Sequence, residues 1–240
     1  MATGSTSTLA AGDHFKSVLS LDICAVEALE CPTLLLNGYG EHNIQVIGDK
    51  HVPFSHNVLN TDYVNAVSDK ASDALNLLFN TTVGREFLAS RTGLGQEALG
   101  ALADLGISAI ANILAAIKYA KYQGLGPEDA ILTVATDGSE LYGTEQDKAA
   151  REQFGGNFDA LVAAEVYGRY LLGVTTDNIK EMTRPDREAI FNLGYYTWVE
   201  QQGVSLADFD ARRDPSYWDD MMAFVPIWDG LIDQFNDAMG

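Results

Sequence analysis

Apolar and polar positions along the first 135 residues alternate between helical and strand spacing. Leu9, Ala10, Ala11 and Phe15 fall where a helix over residues 7–18 would pack them, and DICAVEA (22–28) then reads as a short buried strand. The stretch 34–60 is rich in Gly, Asn and His without sustained period, which predicts a long ordered loop. YVNAVSD (63–69) predicts an apolar strand closed by Ser68 and Asp69, good helix N-caps, and KASDALNLLFN continues at helical spacing. A further helix over 108–123 carries Ile110, Ile113, Leu114 and Ile117 on one face and stops at the turn from Gly124 to Pro127. AILTVA (130–135) is a near-continuous apolar run, the pattern of a central parallel strand buried on both faces, and it breaks at TDGSELYG. Strands alternating with helices predict a parallel α/β sheet, whose ligands bind beyond the carboxyl ends of the strands.

From about residue 144 the pattern turns helical and aromatic, with no strand signal. The segment 144–156, containing FGGN, is the expected boundary between an α/β part (1–145) and a helical C-terminal extension (146–240). The 240 residues, 47% hydrophobic, suffice for a sizeable core. A formal net charge of −19 with no basic cluster argues against nucleic acid or an anionic membrane as partner. With no leader pattern and no run of about 18 apolar residues, the chain is expected to be cytoplasmic. Cys24 and Cys31 are then expected as free thiols that pack rather than react.

Three features carry candidate chemistry. ATGSTST (2–8) places backbone amides and hydroxyls at a helix N-terminus, where amides and helix dipole favour an anion such as phosphate; the alternative is a plain polar terminus. It has neither the lysine of a P-loop nor G-x-G-x-x-G. Asp137, following the apolar run, would stand at the carboxyl edge of the sheet within reach of a ligand, or serve as an Asp-Gly turn residue. His14, His42, His51 and His56 match no metal-ligand spacing, so no metal is expected. No G-x-S-x-G elbow supports a serine hydrolase.

Taken in order, these pieces resemble the C-terminal half of a fold-type-II pyridoxal-phosphate enzyme, the cysteine synthase and threonine synthase group. ATGST (2–6) resembles the family's G-T-G-G-T phosphate loop, with Ala2 and Ser5 in place of two glycines, and AVEA (25–28) its V-E-P strand end. NIQVIGDKHVP (43–53) resembles K-I-Q-G-I-G-A-G-F-V-P, with Val46 in place of a glycine, and VSD (67–69) the start of V-S-D-E-E-A. GISAIANILAAIKYAK (106–121) is similar to G-I-S-S-G-A-N-x-A-A-A-L, and TVATDGSELY (133–142) to V-x-x-L-P-D-S-G-E-R-Y. The likeness covers residues 2 to about 145; the remainder matches nothing in the family.

The resemblance implies a three-layer parallel α/β sheet, pyridoxal 5'-phosphate as cofactor, and β-elimination or β-replacement on a serine-like, O-activated serine or cysteine-like amino acid. It implies phosphate binding by Thr3, Gly4, Ser5 and Thr6. It places Asp137 where the family has a Ser or Thr on the pyridine nitrogen, a carboxylate that would keep the ring protonated and strengthen it as an electron sink. The family's Schiff-base lysine and substrate loop precede the phosphate loop, and none of Lys16, Lys50, Lys70, Lys118, Lys121, Lys148 and Lys180 occupies that place. The expectation is therefore a β subunit of a hetero-oligomer, in which a second polypeptide supplies the lysine, the substrate loop and a preceding strand. A non-catalytic binding or regulatory subunit, or a fragment of a single-chain enzyme, are the alternatives.

Overall fold

Chain order in the computed structural model is β1 (Ala2–Thr3), α1 (Thr6–Leu19), β2 (Cys24–Ala28), α2 (Thr33–Leu36), β3 (Tyr63–Val67), α3 (Asp69–Asn80), α4 (Thr82–Thr92), α5 (Gln96–Ala101) and α6 (Ile107–Gln123). There follow α7 (Gly143–Phe154), α8 (Ala160–Tyr167), β4 (Ile179–Glu181), α9 (Arg184–Tyr195), α10 (Leu206–Ala211), α11 (Pro215–Met222) and α12 (Val225–Met239). The structure describes all residues except Met1, Ser5, Gly48, Asp49 and Gly240, and all side chains except those of Ala2 and Thr3 as well.

The class is mixed α/β with a helical C-terminal region. The sheet is small, in the order β1-β2-β3-β4, with β1, β2 and β3 parallel and β4 antiparallel to β3. In β2 and β3 alternate side chains face opposite ways, as strand geometry requires. Cys24, Val26, Ala28, Tyr63 and Val67 join a core with α3, α4, α6 and α8, while Ala25 and Val64 join another with Leu9 of α1, Ile190 and Phe191 of α9 and Phe209 of α10. Helices therefore cover both faces.

The local signals explain the main elements. Ser68 caps α3 by accepting from the Lys70 amide, and its hydroxyl and the Asp69 amide are held by the two oxygens of Glu30 at 2.7 and 2.8 Å. The Asp69 carboxylate accepts from the amides of Asn43 and Ile44, which ties the loop 34–60 to the start of α3. Gly124, at φ 67°, ends α6. Asp62 gathers α1, β2 and α9 through Lys16 at 2.6 Å, the Ile23 amide at 2.8 Å and Arg187 at 3.3 Å.

Two expectations about strands fail. Residues 130–135 form no strand: Ala130 and Ala135 are exposed, Ile131 and Val134 half-buried, and Leu132 is 45% exposed. The apolar run encodes two-sided burial, but a ladder needs a neighbour, and β1 contributes only two residues beside β2. Conversely Asn-Ile-Lys-Glu hides β4, a polar edge strand too short to show a period. It brings the chain beyond residue 145 into the sheet.

Cys24 and Cys31 are buried free thiols, and burial pushes the Cys24 thiol up to about 12, which makes it a packing group. On the C-terminal side, Met221, Phe224, Trp228, Leu231 and Phe235 recur at intervals of three and four residues along α11 and α12, each more than 40% exposed. Asp214, Asp219, Asp220, Asp229, Asp233 and Asp237 stand among them, with no Lys or Arg after Arg213. No single helix among the described residues is long and apolar enough to cross a membrane.

Candidate functional site

A cavity of about 630 Å³ opens at the carboxyl ends of β1 and β2, against the first turns of α1. Three groups of residues distant in sequence build it: Gly4, Thr6 and Leu9 at the start of α1, Ala25 to Glu27 with Leu34, and Val46, His51, Pro53 and His56 of the long loop. Such a crevice beyond the strand ends is where open α/β sheets bind ligands.

Gly4 is fixed by close packing. A Cβ there would lie 2.3 Å from the Val26 carbonyl oxygen and 2.9 Å from both γ carbons of Ile47, so only glycine lets the chain pass between β2 and the loop. Thr6 opens α1, whose first turn holds no acidic residue, and with Ser7 it faces the cavity. The positive end of the helix dipole at this terminus suits an anion.

Glu27 forms the floor. It is 2% exposed, and its two oxygens each accept a 2.8 Å hydrogen bond, from the amides of Leu34 and Leu35 at the start of α2. Burial outweighs those bonds and pushes its carboxyl up to about 7. His56 is fully buried with Nε2 2.9 Å from the Thr61 hydroxyl, and burial, aided by Arg212, holds it down to about 4, so at neutral pH it is an uncharged wall. His51 lies at the mouth, its Nδ1 3.3 Å from the Thr197 hydroxyl. Val46, on the rim, adopts φ 65°, the left-handed region that a β-branched residue rarely enters. Among the described residues lining the cavity there is no Lys or Arg.

Arg212 supports this architecture from behind. It is buried over the rings of Phe54, Phe209 and Phe191 at 4.2, 4.7 and 4.9 Å, and donates to the Phe54 carbonyl at 2.7 Å. Trp198 donates to the Val52 carbonyl at 2.8 Å, which anchors the loop carrying His51 and His56 to the C-terminal helices.

Of the residues singled out in sequence, Gly4 and Thr6 meet in the cavity. The Thr3 side chain and Ser5 lie outside the described residues. Asp137 does not line the cavity. Its Oδ2 accepts from the Tyr142 hydroxyl at 2.5 Å, its carbonyl accepts from the Gly106 amide at 2.8 Å, and its Oδ1 is buried without a hydrogen bond among the described residues. A side chain on Gly106 would meet that oxygen at 2.1 Å, so Asp137 is packed against the start of α6. Sequence reasoning missed Glu27, His51 and His56 as cavity residues. For Glu27 the signal was present: a carboxylate in the middle of a strand that is buried throughout.

Among the described residues no three His, Cys, Asp or Glu side chains come together as a metal site. No family model, no curated protein and no solved structure matches the chain.

Proposed function

We propose that this cavity binds the phosphate of pyridoxal 5'-phosphate, and that the chain is the phosphate-binding subunit of a two-chain enzyme for β-elimination or β-replacement on a serine-like, O-activated serine or cysteine-like amino acid. The observation that carries the reading is the cavity itself: Gly4 and Thr6 of the G-T-G-G-T-like stretch converge with Val46 of the K-I-Q-G-I-G-like stretch at a helix N-terminus beyond β2. Gly4 and Thr6 would hold the phosphate through backbone amides and hydroxyl. Glu27 fixes α2 and the floor, and neutral His56 closes the inner wall without adding charge. Bound pyridoxal phosphate supplies an electron sink for negative charge at an amino acid's α-carbon. Asp137, engaged with Tyr142, is assigned no contact to the ring.

The absence of lysine from the described lining supports a second polypeptide as its source, and with it completion of a three-layer parallel sheet. The same observation favours the alternative, a binding subunit without catalysis, and co-expression separates the two. Titration of the purified chain should show pyridoxal phosphate binding about tenfold or more tightly than pyridoxal, a difference that Thr6→Val shrinks. Equal affinity for the two, or binding of neither, overturns the reading. A yellow, active complex with a second polypeptide supports the enzyme; a phosphate-dependent but colourless and inactive complex supports the binding subunit.

A further inference from the structure

The last helix presents an apolar face that the chain does not cover. From Phe224 to Met239 every residue but Gly230 is exposed, and eight large apolar side chains in this stretch stand between 38% and 73% exposed. Because a helix turns about 100° per residue, Phe224, Trp228, Leu231, Phe235 and Ala238, at alternating steps of four and three, line one stripe. The Phe224 and Trp228 rings stack along it with centroids 5.9 Å apart. Asp229, Asp233 and Asp237, spaced by four, fall on the opposite side of α12.

We propose that this stripe is a homodimer interface, in which α12 packs antiparallel against α12 of a second copy about a two-fold axis between the Trp228 and Leu231 layers. The proposal goes beyond the cavity reading and depends on neither its cofactor nor its second polypeptide. Three observations select a second copy as the occupant. The first is area: at about 150–250 Å² for each aromatic and somewhat less for each aliphatic side chain, the face presents about 800 Å² of apolar surface. That exceeds the roughly 300–600 Å² patch of an ordinary monomer and equals the share of about 800 Å² that each partner brings to a standard interface. The second is register: the antiparallel alignment sets Phe224 opposite Phe235 and Trp228 opposite the smaller Leu231, then the same pairs in reverse, so the surface is complementary to itself. The third is charge: Val225, Ile227, Ile232 and Gln234 flank the seam without a charge, so no aspartate of α12 faces another across the contact. The aspartates on the outer sides repel only at long range, and salt shortens that range from about 30 Å at 0.01 M to about 10 Å at 0.1 M. Pairing therefore strengthens with salt, and the same acids turn the helix away from an anionic lipid surface.

Sedimentation equilibrium of the full chain tests this. At about 0.15 M sodium chloride the expected mass is twice the 26.0 kDa of one chain, and at about 0.01 M the dimer should dissociate about tenfold more readily. Leu231→Asp, at an exposed position, should weaken the dimer about a hundredfold while leaving the melting temperature unchanged at concentrations where both chains are monomers. Asp233→Asn, on the outer side, should keep the dimer and raise association at low salt about threefold. For the register, a Phe224→Cys chain mixed with a Phe235→Cys chain should form a disulfide-linked dimer under mild oxidation, and neither should do so alone, Cys24 and Cys31 being buried. A chain that stays monomeric at about 100 μM and about 0.15 M salt overturns the proposal. So does a dimer that Leu231→Asp leaves intact, a disulfide-linked dimer of the Phe224→Cys chain by itself, or co-sedimentation of the chain with phosphatidylcholine vesicles that Leu231→Asp abolishes, which would make the stripe a lipid-binding face. None of these outcomes touches phosphate-dependent cofactor binding, so the cavity reading stands or falls separately.

Discussion

Glu27→Gln isolates one buried titration between about pH 6 and about pH 8. Unfolded, Glu27 ionises in the ordinary carboxylate range; folded, burial holds its proton until about 7. The folded state therefore binds the proton more tightly, and this contribution is present at low pH and lost as pH rises through about 7. From the two values the loss between about pH 6 and about pH 8 is about 1.3 kcal/mol. Asp13 and Asp73, pushed up to about 6 mainly by burial, together lose no more than about 0.8 kcal/mol over the same interval, less after solvent screening. His56 works the other way: its folded value near 4 lies below its unfolded value, so it contributes about 0.8 kcal/mol more at the upper pH. The natural chain should thus lose about 1.3 kcal/mol of unfolding free energy across the interval, while Glu27→Gln should be nearly flat. Urea unfolding followed by circular dichroism at the two pH values measures this, and comparing slopes removes the variant's own cost of mispairing one α2 amide. A drop of the same size in the variant would refute the assignment of Glu27 as the titrating group.

Val46→Gly should stabilise the chain by about 1 kcal/mol, because glycine enters the left-handed region without the strain of a β-branched residue, and a raised urea midpoint checks it. Gly4→Ala forces a carbon to 2.3 Å from the Val26 carbonyl and should cost about 2 kcal/mol or more while weakening phosphate binding, read by thermal melting and calorimetry. Arg212→Lys, which loses the planar stacking on three rings, should destabilise by about 2 kcal/mol in denaturant melts, and Arg212→Ala by more.

The legible part of the fold is the part whose causes are local. α1, α3 and α6 announce themselves through apolar spacing and through Ser68 and Gly124 at their ends, and β2 and β3 through short apolar runs. What 130–135 encodes is burial, and burial depends on a neighbour that no local pattern specifies. β4 is selected by pairing with β3, not by its own composition. The cavity was half legible: Gly4 and Thr6 follow from their place at the start of a helix, whereas His51 and His56 reach it because Asp69, Trp198 and Arg212 hold a long loop against the strand ends. Asp137 shows the converse, a residue at the expected edge whose side chain is claimed by Tyr142.

The aspartates along α11 and α12 give the exposed Phe224, Trp228, Leu231 and Phe235 a practical consequence in handling. At low ionic strength these acids act as an electrostatic fence that keeps one molecule's apolar stripe away from another's. Salt lowers the fence by shrinking the screening length from about 10 Å at 0.1 M to about 3 Å at 1 M, and sulfate at the same time strengthens apolar burial. Ammonium sulfate should therefore bring this chain out of solution early, and dilute, mildly alkaline buffer is the condition that keeps it dispersed.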